Sequence, residues 1–181
     1  MATLRLITLG DFATSRYSQV ADSIDGDITE VIAQAETHIE GLVDRTLSSA
    51  SYTEYSFPRS NEIFLLNRPV TALTSVDRRA SYTDAWTSLD VGTFDIERDG
   101  KIGTVVSRDA DVAGYEVKVV YTAGYATIPA DIKAAVILQT VIFAYQDLEV
   151  YGAGDSKEPG ITYLQKQVDR YLCRYKHIKI A

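Results

Sequence analysis

The chain has 181 residues, 46% hydrophobic and 24% charged, with a net charge of −7 at neutral pH. That balance suits one folded soluble domain, or one carrying a β-rich insertion; it excludes wholesale disorder, and the negative sign argues against a protein built to grip nucleic acid, because Lys and Arg drive phosphate binding. Cys173 is the single cysteine, so no intrachain disulfide is expected and a reducing cytosol fits, while Met1 to Gly10 lacks the long apolar core of an export signal.

Near the N-terminus, residues 11–20 predict a short helix capped by Asp11, followed by a turn over 22–27. From Asp27 onward Ile28, Val31, Ile32, Ala35, Ile39, Leu42 and Val43 recur at helical spacing. They predict an amphipathic helix over 27–46, with Asp27 as N-cap and Glu30 three residues on. The opposite face carries Glu30, Gln34, Glu36, Glu40 and Asp44. Such a face is either the solvated side of a core-packed helix or an acidic lining.

The middle of the chain reads as β. Residues 52–57 alternate as a strand, 58–61 turn, and 63–66 form a short buried strand; Asn67, Arg68, Pro69 and Val70 make a corner before β pattern resumes over 70–76. Arg78 and Arg79 stand ahead of Tyr82 and Trp86. A basic pair beside aromatics can touch DNA or an acidic neighbour, but two arginines alone read first as ordinary surface residues, with Trp86 packed on the sheet. Phe94 and Ile96, then Ile102, Thr104 and Val106, flank Asp99-Gly100, a strong hairpin signal. Asp95, Glu97 and Asp99 superficially match the opening of a calcium loop. Its twelfth position falls on Val106, where a bidentate Glu is required, so the metal reading fails. A second turn over 109–114 leads to a strand in which Val117, Val119 and Tyr121 alternate with Lys118, Val120 and Thr122.

Gly124 then supplies freedom for a sharp exit, and Pro129 suits the first turn of a helix, with Thr127 or Ile128 near the cap and Asp131 favoured by the helix dipole. The apolar run 134–145 includes Gln139 and Thr140 and is well short of the roughly 20 residues needed to cross a bilayer. It predicts a core helix over 129–150. Residues 151–160 are loop by composition, and Ile161, Leu164, Val168, Tyr171, Leu172 and Tyr175 predict a last amphipathic helix over 160–177. This end is locally basic. The fold class expected is α+β: a small bundle of these three helices with an antiparallel β-rich insertion over 52–122.

Chemistry is poorly represented. His38 lies between Glu36 and Glu40, and Cys173 and His177, four apart, lack an orienting group and oxyanion donors. Two histidines and one cysteine do not build a usual structural zinc site. The Gly152-Ala-Gly154 stretch has no strand before it and no Lys-Ser/Thr behind it, so it is no phosphate cradle. No catalytic, metal or cofactor site is expected.

Tyr121-Thr-Ala-Gly-Tyr125, Ile128-Pro-Ala-Asp-Ile-Lys133, Ala134-Ala135 and Tyr145 resemble the head–tail connector, or adaptor, proteins of tailed bacteriophages. The Arg-Pro-Val corner and the order of elements are similar too, over nearly the whole chain. The resemblance implies a structural virion protein, made in the host cytoplasm and placed at the head–tail interface as a homo-oligomeric ring, a dodecamer, beneath the portal protein. Such a ring extends the channel, lets double-stranded DNA pass without specific binding, and docks tail, stopper or head-completion proteins; no cofactor, enzyme activity or membrane is implied. Glu30, Glu36, Glu40 and Asp44 are then candidate channel-lining residues. Tyr171, Arg174, Tyr175, Lys176, Ile178, Lys179 and Ile180 are candidates for contact with the portal through a C-terminal arm over 176–181, the other reading of that arm being a frayed tail. The rival functions are a tail-completion or other connector subunit and, in a different class, an α+β enzyme or small-molecule binder using the β insertion as a cup.

Overall fold

The computed structural model describes residues 4–19, 27–97, 103–109, 111–150 and 158–176. The chain divides into two units: residues 1–47 with 127–181 form a helical one, and residues 48–126 a β-rich one. The α+β class and the β-rich insertion are as the sequence predicts.

The helical unit begins with α1, Leu9–Ala13. Its cap is Thr8 and not Asp11: Thr8 accepts from the Asp11 N–H at 3.1 Å while Asp11 accepts from the Thr8 N–H at 2.8 Å, a reciprocal capping box. Helix α2 spans Ile28–Val43, and the Asp27 carboxylate caps it through the Thr29 N–H at 2.9 Å. It stops earlier than expected because Asp44 turns left-handed, with φ 55°. The predicted stripe is buried, Ile32, Ala35, Ile39 and Val43 having no exposed surface.

Helix α3, Ala130–Val150, starts one residue after Pro129, whose carbonyl accepts the Lys133 N–H at 3.1 Å. No residue from 131 to 145 is exposed, as expected of a core helix. Thr140 satisfies its hydroxyl on the Val136 carbonyl at 2.9 Å, which is how a polar residue sits in this interior at little cost. Helix α4, Glu158–Leu172, closes the unit and ends in turns that run to Lys176. Helix α3 packs against both α2 and α4 and is the hub of the unit.

In the β unit, β1 (Ala50–Ser56), β7 (Glu116–Ala123), β3 (Val70–Arg79) and β4 (Thr87–Leu89) form one antiparallel sheet in that order. A second sheet orders β2 (Glu62–Leu65), β6 (Gly103–Ser107) and β5 (Phe94–Ile96). The β5–β6 pairing is the predicted hairpin; the Asp99-Gly100 turn lies outside the described residues. Strand β3 runs three residues beyond the predicted Val76, pairing Asp77, Arg78 and Arg79 with Lys118, Val117 and Glu116 of β7. The two sheets share one core, with Ile63 and Val105 from one and Val76, Val119 and Tyr121 from the other. Strand β7 sits centrally in its sheet, and its alternation of buried and half-buried residues follows the predicted period of two.

Gly124 ends β7 at φ 101°, and a Cβ there would lie 2.4 Å from the Ser48 carbonyl oxygen. Only glycine fits both demands, a left-handed backbone and close approach of the Ser48–Ser49 backbone. At the predicted corner the Arg68-Pro69 bond is cis. Beside it the buried Tyr121 hydroxyl donates to Glu54 and accepts from the Asn67 N–H at 3.2 Å, while Glu54 also takes the Leu66 N–H at 3.0 Å.

Candidate interaction surfaces

The four carboxylates singled out on α2 do not form one acidic face. Glu36 is 1% exposed, and its carboxylate accepts three successive backbone amides from the segment before α1: Arg5 at 2.9 Å, Leu6 at 2.8 Å and Ile7 at 3.0 Å. A buried charge survives because the amides replace its water. Glu40 pairs with Arg5 at 2.9 Å and accepts the Leu47 N–H at 2.8 Å. Glu36 is therefore withdrawn from any lining role, and Glu40 is largely occupied within its own subunit. Glu30 and Asp44 remain exposed, one near each end of the helix.

Along the same outward side, Ala33, Gln34, Thr37 and His38 of α2 and Phe143 of α3 line a shallow open groove of about 500 Å³. The His38 ring stands edge-on to Phe143, with centroids 5.5 Å apart. Sequence reading did not anticipate this groove. The available signal was the small residues Ala33 and Thr37 one turn apart, which leave a neighbouring helix uncovered.

At the other flank of α3, the candidate portal-contact residues separate. Tyr175 is 8% exposed and its hydroxyl donates to Asp131 at 2.8 Å, so this ring belongs to the subunit's own core and is not a free contact. Its spacing from Val168 and Leu172 already put it on the buried stripe. Arg174 pairs with the same Asp131, and Lys176 with Asp169 at 2.7 Å. Tyr171 is exposed, while Ile178, Lys179 and Ile180 lie outside the described residues, as does His177. The outward side of α4 carries Tyr163, Lys166 and Arg170, all exposed and three or four residues apart, and exposed Arg174 follows in the turn beyond it. They make one basic, aromatic stripe.

Another ion pair joins α1 to α3: Lys133 Nζ lies 2.8 Å from Asp11. The ammonium, helped by the Thr8 N–H, holds the Asp11 carboxyl down at about 2.

In the β unit the Arg78-Arg79 pair is spent on local structure. Arg79 bonds Glu116 at 2.6 Å and lies over the Tyr82 and Trp86 rings, and Arg78 lies over Tyr115 and donates to the Asp111 carbonyl. Trp86 packs on the sheet, as expected, against Tyr55 and Lys118. Asp95 pairs with Arg108 at 2.6 Å. Among the described residues no cluster of His, Cys, Asp and Glu suits a metal ion. None of the described helices is long and apolar enough to cross a membrane. Exposed apolar side chains do occur here, including Phe57, Phe64 and Leu66.

The same fold recurs among solved structures. A chain in the neck of the native GTA particle, computed with C12 symmetry, superposes with a TM-score of 0.61 at 19% identity, covering 99% of this chain and 98% of that one. A chain in the neck of the empty GTA particle, computed with C6 symmetry, gives 0.59 at 17% identity over 99% and 98%. One in the virion of the native gene transfer agent particle gives 0.60 at 17% over 100% and 98%. No curated protein matches the sequence. The family model described as head completion protein matches residues 5–178, which is nearly the whole chain. The chain therefore belongs to the head completion protein family, as a structural, non-enzymatic component of the virion head–tail junction.

Proposed function

We propose that this protein closes into a ring of identical subunits beneath the portal, extends the DNA channel there, and receives the stopper or tail proteins that complete the particle. The observation that carries the reading is near-complete correspondence: the family match spans residues 5–178 and the backbone likeness covers 99% of the chain. The structural neighbours belong to particle necks computed with twelvefold and sixfold symmetry, which supports a cyclic arrangement of twelve copies. DNA passes such a ring without being held, in keeping with the net charge of −7.

The portal is met through the C-terminal end, where Tyr171 and the basic residues beyond α4 offer an amphipathic contact. Mixing the full chain with the portal protein of the same particle, and imaging by negative-stain microscopy, tests the reading. The expected result is a ring on the portal's tail-facing side. Absence of any ring, with or without portal, would overturn it.

A further inference from the structure

Two surfaces of the helical unit are complementary and face different flanks of α3. On α2 the groove of Ala33, Thr37, His38 and Phe143 is bracketed by the exposed carboxylates Glu30 and Asp44. On α4 the stripe of Lys166 and Arg170 carries Tyr163, which is 59% exposed and free to enter an apolar groove. The helices match in length, at about 24 Å for the 16 residues of α2 and about 22 Å for the 15 of α4.

We infer that α4 of one subunit lies in the α2–α3 groove of the next, with Tyr163 against Phe143 and His38, and with Lys166 and Arg170, both on the C-terminal side of Tyr163, turned together toward the carboxylate at one end of the groove, Glu30 or Asp44. The occupant is a second copy of this chain. Charge selects the mode of pairing: α2 against α2 opposes carboxylates and α4 against α4 opposes cations, so both two-fold pairings are penalised and only the head-to-tail one is matched. A head-to-tail contact leaves one donor and one acceptor face open at every step. Such contacts generate a ring where the rotation from one copy to the next closes. The inference rests on the ring proposed above and names the surface that builds it.

The test uses two full-length variants. In the first, Lys166→Glu with Arg170→Glu makes both flanks acidic; in the second, Glu30→Lys with Asp44→Lys makes both basic. All four positions are exposed, and circular dichroism with thermal melting checks that each variant folds. Alone, each should need a concentration about tenfold or more above wild type to assemble, by native mass spectrometry with portal present. Mixed in equal amounts, every contact is again acid to base, and rings should return with the two masses alternating. Wild-type rings with variants that assemble equally well would overturn this interface and leave the ring intact. A mixture that fails to recover would overturn it too, and a wild type that forms no ring would overturn the ring itself.

Discussion

Replacing Glu36 by Ala removes the acceptor for three successive amides. Leu6 and Ile7 are 2% and 3% exposed, so their N–H groups have no water to turn to while the segment stays in place. A hydrogen bond to a charged acceptor contributes about 1.5–3 kcal/mol, and two buried amides lose theirs outright. The ground state can escape by lifting the segment, which wets the amides but strips Leu6 and Ile7 from the core at about 1.5–3 kcal/mol each. Both routes therefore cost about 3–6 kcal/mol, and the cheaper sets the outcome. For a chain of this size that corresponds to a fall on the order of 10 °C in Tm of the helical unit. Glu36→Gln keeps one acceptor oxygen without its charge and should cost about half as much. Hydrogen exchange at the amides of residues 5–7, read with thermal melting, decides the matter. If those amides exchange at the wild-type rate in Glu36→Ala and Tm is unchanged, the carboxylate does not hold the segment and the account is wrong.

Asp11 has a folded pKa of about 2, below its ordinary value, so its ion pair with Lys133 contributes fully above about pH 4 and is lost as the pH falls toward 2. Asp11→Asn should remove about 1 kcal/mol at neutral pH, given the partial exposure of both partners, and only a small remainder by pH 2, as measured by urea melts across that range. Burial, then the bond to Glu54, pushes the Tyr121 phenol up, so the unfolded chain ionises first. Stability should be complete below about pH 10 and decline above it, and Tyr121→Phe should flatten that alkaline decline in denaturation midpoints. Gly124→Ala combines a strained φ of 101° with a Cβ 2.4 Å from the Ser48 carbonyl oxygen. It should cost about 2 kcal/mol or more, and a melt within 1 kcal/mol of wild type would contradict the close approach.

The elements were legible wherever burial follows a simple period. Apolar residues on α2 and α4 recur every three or four positions, β7 alternates, and Gly124 and Pro129 punctuate the passage between strand and helix, so boundaries fell within a few residues. What periodicity cannot show is how a long-range partner changes the meaning of a polar residue. Glu36 lies four residues after Ile32 and three before Ile39, squarely on the apolar stripe, yet residue type alone assigned it to solvent. Its burial depends on amides 29 to 31 residues away. Tyr175 and Arg174 depend likewise on Asp131, more than 40 residues earlier.

The same physics limits what net charge says about a ring. The carboxylates that make α2 look acidic are partly consumed at home, Glu36 by amides and Glu40 by Arg5, and Asp131 in α3 draws in a cation from the basic end. Among the described residues, the interface inferred above draws on a separation: Glu30 and Asp44 beside a groove on one flank of the hub, Lys166 and Arg170 beside Tyr163 on the other. A uniform excess of negative charge would push copies apart, whereas unlike charge on opposite flanks draws the front of one copy to the back of the next. Subunits that are acidic overall can therefore still attract along the proposed ring, because at physiological ionic strength charges more than about 8 Å apart are largely screened and the facing pairs inferred above would dominate.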